Sequence, residues 1–485
     1  MMSILSFEMI LFCLGMAAVY YALPLRVRWA VPLIFSGAFV ILSGWQGAVY
    51  LASVCLLSWL GGRALAALAC KGAAAWKRKG LLALLLLLLL GGMAFLKFMP
   101  DALGLVIPVG LSYFSFQSAG FLIDVYRGKA EAPKNPLKVF LFVGYFLQLP
   151  QGPISTWKEL GGQLTEGHPL EPENIAAGFQ RMLWGFFKKL VIADRLAPVT
   201  AALLTGEALP GWFVLGGVGL YAMRLYADFS GGVDIVRGFS QMIGVILPEN
   251  FRRPFFAVSV ADYWRRWHIT LGAWFRSYVL YPLTASRAGL ALGRGASRLL
   301  GKKAGRVFPT ALATLFIFLL IGLWHGLNWN AVIYGGYFGL LMGLSMLLDG
   351  VWKKLRLPKK GVLNLLRVLR TWLLILPAQY FAFTPDPAVS LTLLRQTFSG
   401  WDFSSFAASW TAVMPPLEWI IAGAGLAVLF SVDLLSEHVK RFNDRLAGRS
   451  LFLRWPIWIF LILAVLVFGV YGEGFDSSAF LYTQF

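Results

Sequence analysis

Two of the four histidines in this chain lie in tryptophan-rich, largely apolar surroundings, where an imidazole is unusual. His325 follows the apolar run "FPTALATLFIFLLIGLW" (308–324), and His268 follows "DYWRRW" (262–267). A neutral imidazole is the side chain best suited to exchange protons near neutral pH. Its burial costs free energy unless its nitrogens are hydrogen-bonded. The two residues therefore predict proton-transfer chemistry, and helix packing is the alternative for either one.

The other histidines and the standard site motifs add no further chemistry. His168 in "TEGHPLEPEN" and His438 in "SEHVKRFNDR" lie in polar stretches, which is typical of solvated residues. His268 and His325 are 57 residues apart, with neither i,i+4 spacing nor a cysteine or carboxylate cluster beside them, so we expect no metal site. The stretch "GRGASRLLGKKAG" (293–305) misses the spacing of a phosphate-binding loop, which favours a basic surface loop instead.

The elements that must position these histidines are membrane helices. Hydrophobic residues make up 58% of the chain and charged residues 14%, and the mean hydropathy is +0.70. Apolar windows of about 18–22 residues recur, which is long enough to cross roughly 30 Å of hydrocarbon. Clear examples are 10–23, 48–69, 80–98, 308–324, 419–435 and 455–470. We expect an all-α polytopic membrane protein of roughly 11–13 spans, forming a single domain over residues 1–485.

The middle of the chain, from 178 to 283, differs from these windows. Its apolar runs are short, and the segments 220–238 and 247–283 are interrupted by charges and, in the second, by prolines. Charged side chains at membrane depth must face protein or a water-filled cavity. The sequence therefore predicts that a functional site lies in this region.

Basic residues between the apolar windows account for the formal net charge of +20. The segment 286–306 carries six basic and no acidic residues, and "KKLRLPKK" (353–360) follows after two further windows. Cytoplasmic loops are enriched in lysine and arginine, so this pattern predicts that the N-terminus lies outside the cytoplasm; the bacterial cytoplasmic (inner) membrane is the location implied by the family resemblance described below. We expect the basic loops to contact anionic lipids, and we expect no nucleic-acid partner.

Several motifs, taken in order, closely resemble those of the membrane-bound O-acyltransferase (MBOAT) family, in the bacterial branch that includes the alginate O-acetyltransferase membrane subunit. They are "FLKF" (95–98), "IPVGLSYFSFQSAGFLIDVYRG" (107–128), "FLQLPQGPI" (146–154), "GFFKKLVIADRLA" (185–197), "YADFSG" (226–231), "LPENFRRPF" (247–255), "YWRRWHITLGAWFRSYV" (263–279), "GLWHGLNWN" (322–330) and "FLYTQF" (480–485).

The resemblance implies an enzyme with re-entrant or interfacial helices around a central acyl-transfer tunnel. It implies no bound cofactor, an acyl thioester such as acetyl-CoA or an acyl carrier protein as donor on the cytoplasmic side, and an extracytoplasmic partner similar to SGNH hydrolases. The expected outcome is O-acetylation of a cell-surface polysaccharide.

The resemblance also assigns roles to the two histidines. His325 matches the essential histidine of the family, and we expect it to act as general base on an acceptor hydroxyl. His268 matches the second functional histidine, which would polarise or position the thioester or act in a relay. The residues expected to support them or to line the substrate channel are Trp264, Arg265, Arg266, Trp267, Trp324, Gly326, Asn328 and Asp228.

Some alternatives remain open at this point. Pairing of Arg265 and Arg266 with Asp228, with Asp262 or with the membrane surface is at least as well supported as contact with coenzyme A phosphates. A related branch of the family transfers D-alanyl groups from a carrier protein to teichoic acid. In another class of protein, a non-catalytic transporter or export scaffold, the buried charges would line a permeation path.

Overall fold

The computed structural model describes residues 3–100, 104–205, 208–348, 361–439, 445–446, 448–471 and 480. The basic segment 353–360 and the C-terminal residues 481–485, both used above, lie outside this part of the chain.

Helices dominate the described residues, which confirms the predicted all-α polytopic class. Eight of them are long and apolar enough to cross a membrane: Leu25–Ser43, Trp45–Cys70, Ala75–Phe98, Arg287–His325, Trp329–Leu347, Val362–Gln379, Pro416–His438 and Leu451–Phe468. The count is lower than the expected 11–13 because other apolar windows form shorter or more polar helices. Phe7–Ala22 has only 16 residues, and the 32-residue helix Gly211–Met242 contains four charged residues.

The remaining helices are shorter and cluster in the middle of the chain. They are Leu111–Tyr126, Pro136–Gly144, Trp157–Thr165, Pro172–Phe186, Ala197–Leu203, Val260–Trp264, Ile269–Phe275, Tyr281–Ala285, Pro387–Gln396 and Phe406–Val413. Two π-helical turns, Phe187–Ala193 and Arg276–Leu280, interrupt this region. Such turns are rare and recur at functional sites, in keeping with the site predicted between 178 and 283.

The described chain forms two compact units, each assembled from separate stretches of sequence. The first unit draws on residues 1–190, 228–249 and 440–484. Its core is rich in aromatic side chains, and Phe114, Phe142 and Phe146 are fully buried there. The backbone N–H of Phe146 donates to Ser36 Oγ at 3.1 Å, which satisfies a polar group inside this apolar core.

The second unit draws on residues 191–227 and 250–439 and contains both candidate histidines. Its longest element is the helix Arg287–His325, which we call the histidine helix. The segment 286–306 was expected to be a basic loop, and that expectation is wrong, because this stretch is helical except at Gly301. Gly301 adopts φ 76°, where glycine is favoured, and the chain folds back so that Gly305 lies directly against Ser297.

The histidine helix packs closely against the next helix, Trp329–Leu347, which we call the glycine helix. A Cβ at Gly335 would overlap the carbonyl oxygen of Phe318, and one at Gly339 would lie 2.9 Å from Leu315 Cα. Glycines four residues apart let two membrane helices approach closely, and van der Waals packing then stabilises the pair. The position of His325 therefore depends on this small-residue contact.

This contact yields a matched test of packing. We expect Gly335→Ala to lower the free energy of unfolding by about 1–3 kcal/mol, because the added methyl group meets backbone that cannot move aside. Gly336→Ala is the control, since its Cβ would meet only Leu319 Cδ2 at 3.7 Å. Thermal unfolding of both variants in detergent measures the difference, and equal stabilities would contradict the close-packing account.

Candidate active site

His325 is the last residue of the histidine helix and is half-buried. Its ring centroid lies 4.7 Å from that of Trp324, which is buried. The chain then turns at Gly326, where a Cβ would lie 2.5 Å from Asn328 Nδ2. Asn328 caps the glycine helix, because its side chain accepts a hydrogen bond from the Ala331 N–H at 2.9 Å. Gly326 and Asn328 thus shape the turn that presents His325.

Asn330 holds this turn from the C-terminal side, and no role was predicted for it. Its side chain is buried and donates to the carbonyl oxygen of Thr384 at 2.6 Å and to Ser390 Oγ at 2.8 Å. A buried amide with partners on a distant segment locks the local backbone. Its only signal in the sequence was an asparagine beside the Trp-His-Gly motif.

His268 is buried, with 3% of its surface exposed, and it precedes the short helix Ile269–Phe275. Its backbone is left-handed, at φ 43° and ψ 54°, which is uncommon for a residue other than glycine. Its Nδ1 lies 3.1 Å from Asn250 Oδ1. Strained backbone of this kind clusters at functional sites, so the conformation supports a role for His268 beyond packing.

The two histidines belong to the same unit and interact electrostatically. Burial, and to a smaller degree the charge of His325, lowers the pKa of His268 to about 3. The lowered pKa favours the neutral form of His268 at neutral pH. His268 is therefore suited to accept or donate hydrogen bonds.

The tryptophans of the predicted motif pack His268 against the rest of the unit. Trp264 makes edge-to-face contacts with Phe318 of the histidine helix and Phe338 of the glycine helix, both with ring centroids 4.9 Å apart. Trp267 is buried and stacks on Tyr263 at 5.6 Å. Aromatic contacts of this geometry are rigid, so they tie the segment before His268 to the helix that ends at His325.

Arg265 and Arg266 have different surroundings, although they are adjacent. The side chain of Arg265 is 57% exposed and lies 3.3 Å from Asp262. Arg266 is 11% exposed, with its Nε 3.0 Å from Asp262 and its two terminal nitrogens 2.9 and 3.0 Å from Glu437. The pairing with Asp262 that the sequence allowed is therefore present for both arginines, and the more exposed Arg265 remains the better placed for a soluble anionic group.

Glu437 is a residue that the sequence did not single out. Besides Arg266 it holds Arg253, whose Nε lies 2.9 Å from its carboxylate and whose backbone is also left-handed, at φ 50°. One carboxylate thus binds arginines near both ends of the segment that precedes His268. Bidentate arginine–carboxylate pairs give orientation as well as energy, so Glu437 helps to fix this segment.

Asp228, the remaining predicted site residue, belongs to the first unit. Its carboxylate lies 2.6 Å from Lys189 Nζ, and both side chains are about 1% exposed. The Lys189 ammonium also lies 4.3 Å from the centre of the Phe480 ring. The pairing with Lys189 was not predicted, and it gives Asp228 a structural role within its own unit.

Comparison with known proteins agrees with the resemblance seen in the motifs. The sequence model of the membrane-bound O-acyltransferase family matches residues 129–383, just over half of the chain. The chain belongs to this family. Within the MBOAT match lie both histidines, the arginine pair and all the other predicted site residues.

Individual MBOAT relatives include proteins of three kinds. A probable alginate O-acetylase AlgI from Azotobacter vinelandii is 30% identical over 350 residues, covering 70% of this chain and 65% of the relative. A peptidoglycan O-acetyltransferase from Helicobacter pylori is 30% identical over 276 residues, which cover 51% of this chain and 48% of the relative. A teichoic acid D-alanyltransferase from Bacillus subtilis is 26% identical over 246 residues, which cover 48% of this chain and 58% of the relative. The matches thus span about half to two thirds of these relatives.

Proposed function

We propose that this protein is a membrane O-acyltransferase that moves an acetyl group from cytoplasmic acetyl-CoA to an extracytoplasmic acceptor, for O-acetylation of a cell-surface polysaccharide. The observation that carries the proposal is the placement of His325 and His268 in one unit, within the segment that matches the family. The names of two kinds of relatives, an alginate O-acetylase and a peptidoglycan O-acetyltransferase, support acetyl as the group transferred.

In the proposed reaction His325 is the general base. It accepts the proton of the acceptor hydroxyl while the hydroxyl oxygen attacks the thioester carbonyl carbon, which forms a tetrahedral intermediate. The carbon–sulfur bond then breaks, and the departing thiolate of coenzyme A takes the proton back from His325. His268 stays neutral through these steps because of its low pKa, so its contribution is a hydrogen bond.

The basic residues support the proposed orientation in a bacterial inner membrane. The stretch on both sides of the reversal at Gly301 carries six basic residues between 286 and 306, and His325 is the last residue of the histidine helix. Because positive residues tend to be retained in the cytoplasm, we propose that this basic stretch lies at the cytoplasmic face, in contact with anionic lipids, and that the chain's N-terminus lies outside. An acyl group would then enter a central tunnel from the basic side and leave toward an SGNH-hydrolase-like partner outside.

The proposal is tested by following the acyl group. Sealed membranes containing this protein are supplied with acetyl-labelled acetyl-CoA on the cytoplasmic side, and label is measured in extracytoplasmic glycan or in a co-expressed SGNH-hydrolase-like partner. We expect label to cross only when this protein is present. D-alanyl label supplied on an acyl carrier protein is the parallel arm, suggested by the D-alanyltransferase relative. Transfer in that arm alone would replace acetyl with D-alanyl, and transfer in neither arm would favour the transporter or scaffold interpretation.

A further inference from the structure

Asn250 is fully buried beside His268, and two kinds of hydrogen bond hold it in place. Its backbone carbonyl accepts from the Ile269 N–H at 2.9 Å. Its side-chain Oδ1 accepts from the backbone N–H of Thr270 at 3.2 Å and from Thr270 Oγ1 at 2.9 Å. A backbone N–H can only donate, so the amide atom that faces Thr270 must be the oxygen. The orientation of the Asn250 amide is therefore settled by its neighbours.

This orientation determines the proton position on His268. The same Oδ1 lies 3.1 Å from His268 Nδ1, and a carbonyl oxygen only accepts hydrogen bonds. A favourable contact thus requires that Nδ1 carry the hydrogen, because a lone pair on Nδ1 would face the lone pairs of the oxygen. In a neutral imidazole only one nitrogen is protonated, so Nε2 carries the lone pair.

We propose that Asn250 is a positioning residue that holds His268 as its Nδ1–H tautomer, so that Nε2 acts as a hydrogen-bond acceptor toward the reacting groups. The catalytic meaning rests on the function proposed above. Of the roles open to His268, this tautomer excludes polarisation of the thioester carbonyl, which would need a donor at Nε2. It leaves the relay role, in which Nε2 accepts a hydrogen bond from a ring N–H of His325 and orients that imidazole.

The surrounding backbone makes the arrangement rigid. The Arg252 N–H donates to the Arg266 carbonyl oxygen at 2.8 Å. Together with the bond from the Ile269 N–H to the Asn250 carbonyl, it joins the backbone at 250–252 to the backbone at 266–269. His268 and Asn250 are both buried, which prevents bulk water from replacing the amide as a partner. The Asn250 nitrogen has no hydrogen-bond partner among the described residues, so the contribution of this side chain comes through its oxygen.

The tautomer can be read directly by nitrogen NMR. The full-length protein has only four histidines, and ring-15N-histidine labelling in lipid bilayers gives few signals. The His268 signals are assigned by their loss in His268→Gln. We expect a protonated Nδ1 and an unprotonated Nε2 for His268 at neutral pH. The 15N chemical shifts of protonated and unprotonated ring nitrogens differ widely, so the two are distinguished directly. A protonated Nε2 in the wild type would overturn the proposal.

Variants of Asn250 separate positioning from simple stability. We expect Asn250→Ala to give a mixture of tautomers or the Nε2–H form, and to lower kcat by on the order of 100-fold, as when a hydrogen-bond partner that orients a metal-binding histidine is lost. Asn250→Asp keeps an acceptor oxygen, so the Nδ1–H tautomer should persist even if the alanine variant fails to fold. Loss of the tautomer in Asn250→Asp, or its persistence in a folded Asn250→Ala, would contradict the role.

Thr270→Val is the matched control. It removes one hydrogen bond to the same oxygen but leaves the contact between Asn250 and His268, so we expect the tautomer to be unchanged. Because the NMR measurement needs no acyl transfer, it distinguishes the two proposals. A fixed Nδ1–H tautomer in a protein that transfers no acyl group would refute the function and leave the positioning role of Asn250 intact.

Discussion

Replacement of His325 by alanine is expected to abolish measurable acyl transfer while the protein still folds. His325 is half-buried at the end of its helix, so loss of the imidazole leaves no large cavity in a packed core. A positioned general base contributes about 10²–10⁴-fold to a rate, and His268, whose lowered pKa favours the neutral form, is a poor replacement for it. The measurement is label transferred from acetyl-CoA by membranes that contain equal amounts of folded wild type and variant.

The matched control for this prediction is His438→Ala. His438 is exposed at the end of the helix Pro416–His438, so the same substitution there removes an imidazole from the surface. We expect full activity from that variant. Equal label from wild type and His325→Ala would leave an acyltransferase in place and would show that another group accepts the hydroxyl proton.

The substitution Lys189→Met is expected to cause a large loss of stability in the first unit. Lys189 and Asp228 form an ion pair at 2.6 Å with about 1% of each side chain exposed. Removal of the lysine takes a positive charge away from a buried carboxylate, and breaking such pairs costs about 3–5 kcal/mol. The loss is measured as reduced thermal stability in detergent and as reduced folded protein in membranes.

A double variant separates the ion pair from its apolar surroundings. Removal of both charges in Lys189→Met with Asp228→Leu should recover most of the stability, because well-packed apolar side chains often replace a buried ion pair at little cost. The coupling between the two sites follows from a double-mutant cycle. If the double variant is as unstable as the two losses added together, the pair is not the source of the effect.

Sequence patterns predicted the long helices correctly, because helix formation in a membrane depends on local composition. The six windows quoted at the outset all fall on helices, including 308–324, which ends just before His325. The motifs also indicated the histidines and the tryptophans beside His268. These signals are readable because each is contained within one short stretch of chain.

The partners of these residues were not readable in the same way. Glu437 is 171 residues from Arg266, and Asn330 is 54 residues from Thr384, so nothing local connects them. The glycines and charges of the segment 286–306 disfavour a membrane span, so its local sequence predicts a loop. It is helical because it folds back at Gly301 and packs on the helix that follows, a tertiary contact that propensity alone does not report.

Because the backbone between Gly301 and His325 is helical, the distance of the imidazole from the basic residues follows from the number of residues between them. At about 1.5 Å per residue, the 19 steps from Arg306 to His325 correspond to roughly 28 Å. One inserted residue would turn the ring by about 100° around the axis, and seven would nearly restore its direction but displace it by about 10 Å. The number of residues in this helix thus determines the distance between the basic stretch and the imidazole of His325, so the candidate site depends on the helix length as well as on the histidine.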